Sequence, residues 1–412
     1  MAWRCLAIVA GILGVWGGVG WYPEPLSGDE PNASRVLAKQ DILANPVPFP
    51  VTRVTLKGNG KAGVSCEGQV LAVGEDGGCL LLEKTGRLRV LVAKEILEQQ
   101  LLATQSFAPM DHEQLSQTLL QELPSGFKTT STKHYLIAYD TTEAYAKWNA
   151  ALYERLLRGF YTFWKRLGIE LQEPEFPLVT IVFSSRQGYL KYAEKDQVKN
   201  AASMIGYYNM LTNRVATYDL TGIEEIIPDG KRVETSDLVN AILSRPAAER
   251  AVATIVHEAV HQLAYNCGLQ RRLADNPIAI SEGLAMFFEA PDLKNPSGWG
   301  GIGKVSGHNL AIFRQAMAAR AAKPISELIQ DDSLFHDPAT VSIAYGESWA
   351  LTYYLIKTKS KQFTAYLKEL AQRPPLEATD PKRRLEDFQR FFGDDFEKLE
   401  RDFIKYLSRV QM

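Results

Sequence analysis

Charge of one sign, cysteine and histidine are all in short supply in this chain. Lys plus Arg number 46 and Asp plus Glu 48 among 412 residues. With no basic excess and no basic stripe, the chain is not a nucleic-acid binder that works by neutralising phosphates, and no nucleic-acid partner is expected. The four cysteines are too few for a disulfide-dense scaffold. Cys66 and Cys79 stand near one another in a strand-rich stretch. They could close a disulfide outside the cytoplasm or remain two buried thiols.

Long apolar runs are missing except at the N-terminus. After Arg4, the stretch Cys5 to Val19 is uncharged and mostly apolar, and Gly18-Val19-Gly20 offers the small residues a signal peptidase requires. Residues 1–20 therefore read as a signal peptide or, alternatively, a membrane anchor, since Cys5 to Trp21 is at the short end of what spans a bilayer. Both readings place the rest of the chain outside the cytoplasm, whether secreted, periplasmic or anchored to the envelope.

A chain of 412 residues exceeds one compact core. Residues 21–48 are rich in Pro, Asn, Ser and Asp and read as a linker. Over 49–97, Val51 to Leu56, Glu67 to Val73, Cys79 to Glu83 and Arg87 to Val92 have strand character. Gly58-Asn59-Gly60, Glu75-Asp76-Gly77-Gly78 and Thr85-Gly86 supply turns between them. This is a small β-barrel-like domain without site chemistry, an adaptor or interaction module of unknown partner. Residues 98–130 read as a helical connector, with a capping box at Asp111 to Gln114 and a stop at Pro124-Ser125-Gly126.

The larger domain covers 131–412. It begins with a strand, His134 to Tyr139, and a long helix running from Asp140 and Glu143 to about Leu167. Tyr145, Trp148, Leu152, Leu156, Phe160, Phe163 and Leu167 recur along it at helical spacing and form a core stripe. Leu178 to Phe183 is a buried strand, and Arg186 to Lys195 a helix. Ser203 to Met210 and Arg214 to Leu220 form a hairpin, and from Ala247 the chain is mainly helical. Strands first and helices afterwards predict an α+β fold.

Histidine is rare, six in all, yet two stand four apart in His257-Glu258-Ala259-Val260-His261. On a helix, positions four apart lie about 40° apart around the axis and one turn apart along it, so both imidazoles reach one metal ion. Glu258 then faces a water at the metal as general base. The flanking helix is apolar (Val252, Ile255, Val256, Val260, Leu263), and buried polar groups there need partners. The competing reading is two hydrogen-bonded core histidines. Glu282, in the first turn of the next helix, is the candidate third ligand, beside small Gly283 and Ala285. Its plainer reading is a carboxylate placed for the helix dipole.

These residues resemble the gluzincin metallopeptidases, whose third ligand is a Glu on the following helix. More narrowly, the segments His257 to Asn266 and Ser281 to Glu289 look like a family of exported bacterial proteins with a peptidase-MA-like domain, labelled as a domain of unknown function. The likeness is strongest over 250–290, extends more weakly to the hairpin before it and the helices after it, and says little about residues 1–130. It implies a zincin-like fold with a small mixed sheet and a helical active-site half. It does not supply a substrate. The gluzincin resemblance implies Zn2+ held by His257, His261 and Glu282, and with it a peptide or protein substrate.

Gluzincins commonly stabilise the oxyanion with a Tyr or His from a later helix. Tyr345, at the opening of an apolar helix, is the candidate here. A core tyrosine is the alternative, and His308 is a second contender. Cys267 falls where metzincins place their third ligand, but a continuing helix turns it off the metal face. Substrate would lie along Ser203 to Asn209. Gly206-Tyr207-Tyr208-Asn209-Met210 carries no acid to hold a free amine, which favours internal cleavage. The competing expectation is a non-catalytic zinc-binding envelope or interaction module.

Overall fold

A computed structural model describes residues 50–57, 63–223, 226, 233–290, 300–377 and 379–411. The expected signal or anchor segment, the expected linker 21–48 and the expected Gly58-Asn59-Gly60 turn lie outside the described residues. Among those described, no helix is long and apolar enough to cross a membrane.

The first unit is one antiparallel sheet of β1 (Pro50–Leu56), β2 (Val64–Val73), β3 (Cys79–Glu83), β4 (Leu88–Leu91) and β5 (Ile96–Ser106), in the order β4-β3-β2-β1-β5. Side chains alternate across a strand with period two, and β3 is apolar on both faces. Cys79 and Leu81 join Val54, Val70, Leu91 and Ile96 in one core. Leu80 and Leu82 point the other way and join Leu88, Phe176 and Leu273, the last two from the larger unit. Cys66 and Cys79 are both free thiols, and burial pushes Cys79 up to about 12.

β5 occupies the stretch read from sequence as the start of the helical connector. Ile96–Ser106 is rich in helix-forming Leu, Glu, Gln and Ala, but pairing along β1 decides its conformation. The connector helix is only α1 (His112–Glu122). Its expected capping box is present: the Asp111 side chain accepts from Gln114 N at 2.9 Å, and the Gln114 side chain accepts from Asp111 N at 3.2 Å.

The second sheet holds β6 (Lys128–Ser131), β7 (Tyr135–Tyr139), β8 (Leu178–Phe183), β9 (Gly206–Asn209) and β10 (Arg214–Tyr218), in the order β6-β7-β8-β10-β9. β7, β8 and β10 run parallel, while β6 and β9 are antiparallel edges. The polar edge strand β6 has no counterpart in the sequence reading. Besides α1, two helices flank the sheet, α2 (Glu143–Arg166) and α3 (Arg186–Lys195). α2 is capped by Thr142 rather than Asp140 and shares a core with Tyr135, Ile137, Leu178 and Val182. α1 and α3 cover Leu136, Ala138, Val179 and Ile181 on the opposite face.

The helical half starts at α4 (Ser236–Leu243), before Ala247 where the sequence placed it, and continues with α5 (Glu249–Asn266) and α6 (Ile278–Phe288). Next come α7 (Gly307–Ala318), α8 (Ile325–Gln330), α9 (Val341–Thr358) and α10 (Ser360–Leu370), then α11 (Pro381–Phe392) and α12 (Phe396–Arg409). The architecture is thus mixed α+β, with sheets first and helices afterwards. α6 is buried from Ala279 through Phe288. It crosses α9 at Gly283, where a Cβ would stand 2.2 Å from Thr352 Oγ1 and 2.5 Å from the Ser348 carbonyl. Only glycine permits that approach, and it brings Glu282 and Tyr345 to the same cavity.

Candidate metal centre

α5 buries Val252, Ile255, Val256, Val260 and Leu263 against the core and turns His257 and His261 toward a cavity of about 340 Å³. The two rings are edge-on, with centroids 4.8 Å apart. His257 Nε2 lies 3.1 Å from His261 Nε2 and 3.1 Å from Glu282 Oε2, and Glu282 Oε1 lies 3.5 Å from His261 Nε2. Among the described residues, these are the His, Cys, Asp and Glu side chains grouped closely enough to hold a metal ion. Sequence-expected His257, His261 and Glu282 therefore converge.

Burial works against charge on His257, but its bonds to Glu282 and Glu289 outweigh this and raise its pKa well above the ordinary value. Burial likewise opposes charge on Glu282. The neighbouring His261 and His257 overcome it and hold the carboxyl well below the usual carboxylate range.

Glu258 also lines the cavity. Its Oε2 accepts the Tyr208 main-chain N–H at 2.8 Å, which ties it to the free edge of β9. Burial raises its pKa against the lowering influence of both histidines. Tyr345 lines the cavity too, in the second turn of α9 rather than at its entry. Burial, then the charges of Glu282 and Glu258, push its phenol well above the ordinary value.

His308 sits in the first turn of α7, outside the cavity lining, and His336 lines the cavity instead. Cys267 caps α5 and is fully buried away from the cavity, with its thiol pushed by burial up to about 12.

Several partners had no role in the sequence reading. Glu289 Oε2 lies 3.2 Å from His257 Nδ1, and Glu289 Oε1 accepts from Asn309 Nδ2 at 3.4 Å. The available signal was spacing: Glu289 follows Glu282 by two helical turns and shares its face. The Tyr208 ring stacks on Tyr265 at 5.9 Å, and its hydroxyl donates to Asn213 Oδ1 at 2.8 Å. Asn213 and Asn266 exchange side-chain bonds of 2.8 and 2.7 Å. Gln262 Nε2 donates to the carbonyls of Val179 and Asn213 at 2.9 and 3.0 Å. Gln262, Tyr265 and Asn266 all follow His261 on the same helix. Their work is to bind that helix to β8 and to the β9–β10 hairpin.

Residues 251–377 match a family described as "Protein of unknown function (DUF1570)". The matched stretch contains His257, Glu258, His261, Glu282 and Tyr345, and omits both β-sheets. No curated protein matches the chain.

Proposed function

We propose that this chain is a zinc-dependent endopeptidase with a zincin-like fold, acting outside the cytoplasm. The spacing of three donor atoms carries the reading. Ligands at ~2.0–2.1 Å from a tetrahedral zinc stand about 3.3 Å from one another. His257 Nε2, His261 Nε2 and the Glu282 carboxylate stand 3.1, 3.1 and 3.5 Å apart. Two imidazoles and a carboxylate suit zinc, and three protein ligands leave a fourth position open, which is the catalytic rather than the structural pattern.

Zinc, when bound, supplies Lewis acidity and lowers the pKa of water at the centre. Glu258, raised by burial, accepts the proton of the attacking water and passes it to the leaving amine. Tyr345, whose phenol stays protonated at neutral pH, donates a hydrogen bond to the developing oxyanion. Glu289 accepts the His257 Nδ1 proton, leaving the Nε2 lone pair directed at the centre. The peptide lies extended along β9, whose other edge is already paired with β10. Gly206-Tyr207-Tyr208-Asn209-Met210 offers no acid to a free amine, which supports internal cleavage. The N-terminal apolar segment supports the extracytoplasmic location.

Purified protein is expected to carry about one zinc per chain. Glu258→Gln is expected to keep that metal and to lose hydrolysis of a peptide library by ~10²–10⁴-fold. If wild type and variant both leave the library intact, the protein is instead a non-catalytic zinc-binding module. Folded protein that takes up no zinc ends the proposal altogether.

A further inference from the structure

We infer that Arg272 is a positioning residue of the cleft, holding the edge strand β9 in place through the β-domain. The inference rests on the peptidase reading for its consequence but not for its geometry. Arg272 lies in the loop after the metal-binding helix. Its Nη1 donates to the carbonyl of Gly86, in the β3–β4 turn, at 2.8 Å, and to the carbonyl of Met210, at the end of β9, at 3.2 Å. One guanidinium therefore joins three parts of the chain: the loop behind His261, the β-domain and the hairpin.

The surrounding contacts run the same way. Leu88 N donates to the Leu211 carbonyl at 2.7 Å, so the start of β4 bonds directly to the hairpin turn. Gly86 takes φ of +81°, and a Cβ there would meet the Phe176 ring at 3.1 Å and Asn213 Nδ2 at 3.4 Å. Leu80, Leu82 and Leu88 share a buried cluster with Phe176 and Leu273, against which Leu211 and Leu376 pack. Leu376 N in turn donates to the Leu273 carbonyl at 2.8 Å. Met210 and Ala274 on these segments both line the cavity.

The physical reason for a role in the site is the weakness of β9. It has four residues and, among the described strands, pairs with β10 alone. Its other edge, where the Tyr208 N–H meets Glu258, is the one along which the proposed substrate lies. A peptide bound along that edge reads the strand's position directly, because main-chain pairing depends on register. Glu258 reads it as well, through Tyr208 N. Fixing the turn at Met210 therefore fixes where an extended substrate lies relative to the metal ligands, which are held separately by α5 and α6.

The test uses the full zinc-loaded chain with Arg272→Met, which keeps the apolar stem, and Arg272→Lys, which keeps the charge. Hydrogen exchange of the 206–213 amides should speed up ~10-fold in the Met variant and less in the Lys variant, with zinc content unchanged. On an internally quenched peptide cleaved by wild type, KM should rise ~10-fold in Arg272→Met while kcat stays within ~3-fold. Partial restoration of KM is expected in Arg272→Lys. Residue 272 acting only as interdomain glue would lower the unfolding midpoint without moving KM, and that result overturns the inference. Unchanged exchange over 206–213 in both variants overturns it equally. If wild type cleaves no peptide, the peptidase reading fails by itself, and the exchange measurement still decides whether Arg272 holds the strand.

Discussion

Glu289 shows how one side chain outside the donor set shapes it. A buried imidazole has two nitrogens, and one that is to hold the proposed zinc needs its lone pair free. The carboxylate at Nδ1, 3.2 Å away and itself held by Asn309, draws the proton to that side and turns Nε2 toward His261 and Glu282. Glu289→Ala is expected to leave the fold intact and to weaken zinc binding by ~10–100-fold. Competition with a chromophoric chelator measures this directly. An unchanged affinity would mean that packing alone orients His257.

At the scale of elements, the crossing of α6 and α9 decides whether Glu282 reaches the two histidines. Gly283 lies between Glu282 and the partner helix, and a Cβ there would collide with Thr352 Oγ1 and the Ser348 carbonyl. The hydroxyl can rotate away, but the carbonyl belongs to helical backbone and cannot. Gly283→Ala is therefore expected to destabilise the protein by ~1–3 kcal/mol despite alanine's better helix propensity, and to displace Glu282. Urea unfolding gives the first quantity and zinc content the second. A stabilised variant would show that the helices separate without cost.

For the whole molecule, a buried acid away from the cavity makes stability depend on pH. Burial raises Glu347 from 4.5 to about 7, although the Lys323 main-chain N–H donates to it at 2.6 Å, and its other carboxyl oxygen is buried without a partner among the described residues. Below 4.5 the group is neutral both folded and unfolded. As pH rises toward 7 the unfolded chain gives up its proton while the folded chain keeps it, so stability falls. Above 7 the folded state has lost up to roughly 3 kcal/mol. Glu347→Gln is expected to recover much of that at pH 8 and almost none at pH 4. Urea midpoints measured across this range test the sign, and an equal gain at both ends would contradict it.

Local order in the chain was legible from residues alone. Turn glycines bracket β3, the apolar stripe from Tyr145 to Leu167 marks α2, and the four-residue spacing of His257 and His261 places both rings on one helical face. The first follows from glycine's backbone freedom, the other two from the helical period of 3.6. β5 does not read as a strand because its Leu, Glu and Gln favour helix until β1 pairs with it. β6 is not legible because a short polar edge strand carries no apolar alternation. Glu282 was legible as a candidate, but its approach to within 3.1 Å of His257 Nε2 depends on Gly283 meeting α9. No local pattern marks Arg272; folding alone places the carbonyls of Gly86 and Met210 around it. Periodicity along the chain thus determined which residues share a face. Only tertiary packing decided which faces meet, because those contacts join segments whose separation in sequence leaves no local pattern.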